Sequence, residues 1–181
     1  MLPFLIAAAA VSGVAALTDA VTGRIPNWLT WGALAGALLW HFAYGWHFAH
    51  VAQAGLFELA KAFGGMLLCA AAPVFLYWKR AIGGGDVKLF AAIGALCLPL
   101  AGLEMMTYAF IAATIMAGAK LAYQGVLLQT FGRSFTLVAN PFRKAENRKE
   151  LPAEMMTWFR MGPAIFAGAL VTVVLHLGDV S

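Results

Sequence analysis

Two aspartates are the residues of this sequence whose chemistry most needs an explanation. Asp86 follows three glycines and stands just before the apolar run 89–100, and Asp19 closes the apolar segment at the N-terminus. Carboxylates at the edge of a membrane span are costly and tend to mark functional sites. Two carboxylates that approach each other cannot both ionise easily, so one can act as a base on water while the other protonates a carbonyl oxygen. The pair indicates aspartic-protease chemistry, which needs no metal and no cofactor.

A purely structural explanation competes with this one. Asp86 could cap the helix that begins after Gly83, Gly84 and Gly85, because acidic residues stabilise the first turn of a helix. Asp19 stands at a helix C-terminus, where a negative charge opposes the helix dipole and gains nothing. The structural explanation is therefore weaker for Asp19. The glycines have their own use, since without Cβ atoms they let a substrate strand come close to the acid.

Composition places these residues in a membrane protein. The 181 residues are 62% hydrophobic and 11% charged, against roughly 25% charged residues in a typical soluble domain. The net charge of +4 could suggest nucleic-acid binding, but no basic helix or basic and aromatic patch accompanies it. Cys69 and Cys97 lie inside apolar runs and form no CxxC motif, so they are predicted to be free, buried thiols.

Apolar segments of about 20 residues can cross a membrane as helices. Six segments approach that length, at about 2–18, 28–45, 54–78, 87–102, 104–128 and 159–177. They predict an all-α polytopic membrane protein, a bundle of about six transmembrane helices forming a single domain over 1–181. The sizeable polar stretch 129–158 is predicted to be a cytoplasmic loop.

Lysine and arginine residues orient these segments. They fall between the first and second, the third and fourth, and the fifth and sixth segments, whereas the opposite connections carry none. By the positive-inside rule the basic side faces the cytoplasm, so both termini are predicted to be non-cytoplasmic. Two complete segments separate Asp19 from Asp86, and both acids are therefore predicted at the cytoplasmic edge.

Smaller patterns concern helix packing and helix ends. Gly32 and Gly36 would let another helix approach the second segment closely. Glu58 and Lys61 are spaced to pair one helical turn apart. The stretch His41–His50 carries aromatic residues and no lysine or arginine, which is typical of a connection at the membrane interface.

Two stretches of the chain combine the aspartates with nearby glycine, proline and basic residues. They are Thr18-Asp19 with Arg24-Ile25-Pro26-Asn27, and Gly83-Gly84-Gly85-Asp86-Val87-Lys88. Together they resemble the two-part signature of the type IV prepilin peptidases, which are membrane aspartic proteases with a GxGD motif. The resemblance extends over nearly the whole chain in the number and order of apolar segments.

The resemblance implies a function and a substrate. The chain would cleave prepilin or pseudopilin precursors in the cell inner membrane, on the cytoplasmic side of their hydrophobic segment and typically just after a glycine. Asp19 and Asp86 would be the catalytic pair. The remaining signature residues would shape the loop or position the substrate, namely Arg24, Pro26, Asn27, Gly83, Gly84, Gly85 and Lys88. No cofactor, metal or nucleic acid is implied.

Longer members of that family carry a cytoplasmic domain with two CxxC pairs and also N-methylate the new terminus. This chain has no CxxC and no room for such a domain between Asp19 and Trp28. It is more similar to the short, peptidase-only branch associated with Flp-type, tight-adherence pili, so methyltransferase activity is not expected.

Two other functions stay open. A presenilin-like GxGD protease cuts within the membrane, but such proteins usually carry a YD motif in a middle span, whereas the first acid here follows Leu17-Thr18. A transporter or assembly scaffold could use the aspartates as a proton site. Transporters tend to place such acids near the midplane of the bilayer in broken helices, whereas Asp19 and Asp86 are predicted at its edge.

Overall fold

The computed structural model describes residues 2–123 and 160–178, and these residues form helices joined by short connections. The helices are α1 (Leu2–Thr22), α2 (Asn27–Ala49), α3 (Ala52–Trp78), α4 (Gly84–Tyr123) and α5 (Gly162–Leu177). The predicted all-α fold is confirmed. The predicted loop 129–158 lies outside the described residues.

The helices have the lengths and surfaces of membrane segments. Three are long and apolar enough to cross a bilayer, namely α1, α3 and the Gly84–Lys120 part of α4, while α5 is apolar but shorter. Large aromatic side chains are exposed near helix ends, with Trp28 71% and Trp78 73% exposed. Lipid rather than water is the natural neighbour of such a surface.

Helix α4 is a hairpin rather than a rod. Leu98 has φ 63° and ψ 172°, which breaks the helix, and Pro99 follows it. The rings of Phe90 and Phe110 stack with centroids 5.4 Å apart, although twenty residues of straight helix would separate them by about 30 Å. The chain therefore reverses direction at Leu98, and two arms of α4 run side by side.

This break corrects the predicted boundary between the fourth and fifth segments, which was placed between 102 and 104. Proline has no N–H group to donate, and it disfavours helical angles at the preceding residue. Pro99 therefore ends the first arm at Leu98. Residues up to Ala113 and from Arg160 onwards form one compact unit, and the described part of a second unit is the helical stretch 114–123.

Glycine contacts bring the backbones of α3 and α4 together. A Cβ placed on Gly65 would lie 2.2 Å from the carbonyl oxygen of Gly94, and a Cβ on Gly94 would lie 2.2 Å from that of Gly65. The close approach predicted at Gly32 and Gly36 is wrong for the described residues, because none of their atoms comes within 4 Å of a Cβ at either position. Small residues do mark a close helix crossing, but it joins α3 and α4 and does not involve α2.

His41 corrects the prediction of an outer connection over His41–His50. Helix α2 continues to Ala49, and His41 is only 2% exposed. Its ring stacks on Phe4 at 4.7 Å between centroids, and its Nε2 lies 3.1 Å from the carbonyl oxygen of Leu96. The break in α4 deprives that carbonyl of its usual helical partner, so His41 satisfies a group that the hairpin exposes.

Two smaller predictions are confirmed by the described residues. The Glu58 carboxylate and the Lys61 ammonium group lie 2.5 Å apart, one helical turn from each other. Cys69 and Cys97 are both buried and free.

Gly64 and Gly65 provide a matched test of the α3 and α4 contact. We expect Gly65→Ala to destabilise the protein by about 1–3 kcal/mol or more, because its Cβ overlaps backbone that cannot move independently. Gly64→Ala should be neutral or stabilise by up to about 1 kcal/mol, since no described atom lies within 4 Å of its Cβ. Thermal unfolding of the two variants in detergent measures the difference. Equal melting temperatures would contradict the proposed backbone crossing.

Candidate active site

Asp19 lies in the last turn of α1, where a glycine stops the helix. Gly23 has a positive φ of 68°, and its N–H group donates to the carbonyl oxygen of Asp19 at 2.9 Å. Glycine readily adopts this left-handed conformation, which commonly ends a helix. Pro26 then precedes the first residue of α2. This tight turn leaves the Asp19 side chain on the inside of the bundle, 7% exposed.

Asp86 lies in the first turn of α4. The N–H group of Gly83 donates to its Oδ2 atom at 3.0 Å, so the carboxylate reaches back to cap the helix that contains it. This is the carboxylate half of a capping box. The structural explanation weighed above is therefore correct as a local description. Asp86 is nevertheless only 8% exposed, which an ordinary surface cap would not be.

The fold brings the two acids together although two helices separate them in the sequence. The turn that follows Asp19 packs against the residue that precedes Asp86, because a Cβ on Gly85 would lie 3.1 Å from the Cβ of Ile25, so the two acids lie at neighbouring helix ends. Each Oδ2 atom accepts one backbone N–H at 3.0 Å, from Gly162 for Asp19 and from Gly83 for Asp86. Among the described residues neither Oδ1 atom takes a hydrogen bond. Within the described part of the chain, each carboxylate is thus held through one of its two oxygens.

The two signature stretches pack against each other beside the acids. A Cβ on Gly85 would lie 3.1 Å from the Cβ of Ile25, so the bare backbone of Gly85 is what lets the 23–26 turn come close. The ammonium group of Lys88 donates to Oδ1 of Asn27 at 2.8 Å. These contacts tie the start of α4 to the start of α2.

The other signature residues contribute unequally. A Cβ on Gly83 would lie 3.2 Å from Oδ2 of Asp86, whereas one on Gly84 would make an ordinary 3.5 Å contact with Tyr77. The side chain of Arg24 is exposed, and it takes no recorded polar partner among the described residues. Its carbonyl oxygen accepts a hydrogen bond from the Thr22 hydroxyl at 3.1 Å. The structure does not bring the Arg24 side chain to the acids.

The sequence analysis missed two residues at this site. Gly162 donates its N–H group to Asp19, and the guanidinium group of Arg160 donates to the carbonyl oxygen of Ala20. In the sequence, Arg160 is one of the basic residues that accompany the last apolar segment. Gly162 followed by Pro163 signals the start of a helix, but no pattern in the sequence links that start to Asp19.

Two buried carboxylates that share a site, each anchored by a backbone amide, can pass protons to and from a bound water. Among residues 2–123 and 160–178, no three His, Cys, Asp or Glu side chains come together as a metal site requires. The fold and the site together define an apolar, all-helical protein with an acidic pair at one end of its bundle.

Comparison with known proteins identifies the family. Residues 6–120, which include both aspartates, match the model of the Type IV leader peptidase family. The chain is also 32% identical over 145 residues to the leader peptidase HopD of Salmonella typhimurium, covering 78% of this chain and 84% of that protein. No solved structure gives a significant match. The chain belongs to the type IV leader peptidase family, which makes it a protease and confirms the resemblance drawn from the signature stretches.

Gly84 and Gly85 test how the two signature stretches depend on each other. We expect Gly85→Ala to lower peptidase activity at least about tenfold, because its Cβ would push the 23–26 turn away from the start of α4, and small displacements of catalytic groups are costly. Gly84→Ala should keep most of the activity, since its Cβ has room. Activity per folded molecule measures the contrast. A larger loss in Gly84→Ala than in Gly85→Ala would contradict this packing.

Proposed function

We propose that the protein is an aspartic endopeptidase that removes the leader from type IV prepilin-like precursors during pilus biogenesis. Asp19 and Asp86 are its catalytic pair. The observation that supports this most is that two nearly buried acids, at the end of α1 and the start of α4, each have one oxygen on a backbone amide and the other free of hydrogen bonds to described residues. Family membership supports the choice of a leader peptide as substrate.

The proposed reaction uses one proton shared by the pair. The ionised carboxylate takes a proton from water as the water oxygen bonds to the carbonyl carbon of the scissile peptide. The protonated carboxylate gives its proton to the carbonyl oxygen, which produces a tetrahedral diol. When the C–N bond breaks, one hydroxyl loses its proton to the pair and the leaving nitrogen gains one. The products are a carboxylic acid and an amine, and the pair again holds one proton.

The proposed topology has six membrane crossings. They are α1, α2, α3, the two arms of α4, and α5, with both termini outside the cytoplasm by the positive-inside rule. The first arm of α4, from Gly84 to Leu98, is about 21 Å long, shorter than a hydrocarbon core of about 30 Å. Asp86 would therefore lie slightly below the cytoplasmic surface of the inner membrane, in an opening between the inner ends of α1 and α4 that water can reach.

The supporting residues have separable roles in this proposal. Gly83 and Gly85 keep the backbone bare where it carries Asp86 and meets the 23–26 turn, and Pro26 fixes the end of that turn. Asn27 and Lys88 lock α2 to α4 through their hydrogen bond. Exposed basic groups such as Arg24 are available to the precursor at the cytoplasmic face.

The alternatives fit the site less well. Both acids lie within one turn of a helix end, Asp19 at the end of α1 and Asp86 at the start of α4. A transporter would instead place such acids near the middle of the membrane. A transport or scaffold role also leaves the family match unexplained. A presenilin-like intramembrane cut would need the scissile bond to lie deeper than these helix ends.

Processing of a co-expressed prepilin tests the proposal. We expect Asp19→Asn and Asp86→Asn each to abolish leader removal, because asparagine keeps the size and polarity of aspartate but cannot exchange a proton. Glu58→Gln, which removes a carboxylate from the partly buried ion pair with Lys61 on α3, should process normally. The readout is a gel shift with N-terminal sequencing of the product, at matched amounts of enzyme in the membrane.

Each result bears on a different part of the proposal. Cleavage that survives either aspartate substitution would rule out the paired mechanism. A wild-type protein that leaves every tested prepilin intact would count against the substrate class. Cleavage inside the hydrophobic segment of the precursor would favour the intramembrane alternative instead.

A further inference from the structure

The segment that leads into α5 contacts Asp19 with a fit that only glycine allows. The N–H group of Gly162 donates to Oδ2 of Asp19 at 3.0 Å. A Cβ placed on Gly162 would lie 2.9 Å from both Oδ2 and Cβ of Asp19, and 3.1 Å from the Cα atom of Ala16. Two of these three neighbours belong to helical backbone or sit directly on it, so they cannot rotate away. Any side chain at position 162 must displace Asp19 or the end of α1.

The same segment brings the positive N-terminal end of α5 to Asp19, which lies at the negative C-terminal end of its own helix. Asp19 lies in the last turn of α1, where the helix dipole disfavours negative charge. Helix α5 begins at Gly162 with Pro163 in its first turn, so the positive end of α5 faces the carboxylate. The guanidinium group of Arg160 donates to the carbonyl oxygen of Ala20 and caps the negative end of α1. Both contacts favour an ordered Asp19 at this place.

We propose that Gly162 and Arg160 are positioning residues of the peptidase, forming a third part of the site beside the two signature stretches. This inference rests on the proposed function. The Gly162 N–H group fixes Oδ2 of Asp19, so that Oδ1 is the oxygen that exchanges protons with water. Gly83 does the same for Asp86. The pair is therefore oriented by one glycine amide on each side, from two segments far apart in the sequence.

Gly162 and Arg160 lie outside the family match, which ends at residue 120. Further along α5, a Cβ on Gly168 would lie 2.4 Å from the backbone nitrogen of Ala109. Gly168 thus has an even more crowded backbone contact on the same helix, away from the acids. It serves as a matched control for damage that is only structural.

Steady-state kinetics of purified enzyme with a purified prepilin separates positioning from packing. We expect Gly162→Ala to lower kcat about 100-fold, since displacing a catalytic group by about 1 Å has that effect, while KM stays within about threefold. Gly168→Ala should lower the melting temperature, yet keep kcat per folded molecule within about threefold of wild type. Folded protein is quantified by size-exclusion chromatography and thermal unfolding before each assay.

Arg160 keeps the inference testable if Gly162→Ala does not fold. Its side chain is exposed, so substitution leaves the interior intact. We expect Arg160→Met to lower kcat about tenfold with little change in KM, and Arg160→Lys to recover most of that loss, because lysine keeps the positive charge at the end of α1.

The outcomes separate this inference from the function on which it rests. If wild type processes the precursor and Asp19→Asn does not, the proposed function stands. A Gly162→Ala enzyme with wild-type kcat would then overturn the positioning role, as would a Gly168→Ala enzyme that loses kcat equally. Where Gly162→Ala does not accumulate, an Arg160→Met enzyme with unchanged kcat would overturn it. A wild type that processes none of the tested prepilins would count against the substrate class of the proposed function instead.

Discussion

Two carboxylates withdrawn from water in one place are the constraint on which the rest of this structure depends. Such groups must be hydrogen-bonded, because burying a charge without partners is very costly. The protein meets this need with backbone amides, which it can bring close only where side chains are missing. Gly83 serves Asp86, and Gly162 serves Asp19. Gly83 and Gly162 are thus explained by their contacts with the acids, whereas Gly85 is explained by its packing against Ile25.

Residues without large side chains also determine how the helices around the acids pack. Gly65 and Gly94 let α3 and α4 touch through their backbones, and the hairpin at Leu98 folds α4 back on itself. The carbonyl group that this hairpin frees is taken by His41. Two of the buried polar groups are thus satisfied by a partner from another helix, the Leu96 carbonyl oxygen by His41 and Asp19 by Gly162. The acidic end of the bundle is fixed by contacts among α1, the two signature stretches and the start of α5.

Features that depend on local pattern could be predicted from the sequence. Hydropathy predicted an all-helical membrane protein, and counting segments placed Asp19 and Asp86 on the same side, because each crossing reverses direction. Features that depend on partners far away in the sequence could not be predicted. Nothing near Gly162 shows that its amide faces Asp19, and nothing near His41 shows that a carbonyl group on α4 will need it. Pro99 was a local sign of the break at Leu98, but the hydropathy pattern placed the boundary between 102 and 104 instead.

Cross-linking of positions 19 and 86 in native membranes tests the central claim most directly. Cys69 and Cys97 would be replaced by alanine, cysteines introduced at 19 and 86, and a short bis-methanethiosulfonate reagent applied, with cross-linked peptides identified by mass spectrometry. The account predicts efficient joining of 19 to 86, and little joining in a control that pairs 86 with Ser12→Cys, two turns away on α1. Failure to join 19 and 86 while both thiols react singly, or equal joining in the control, would contradict a paired acidic site.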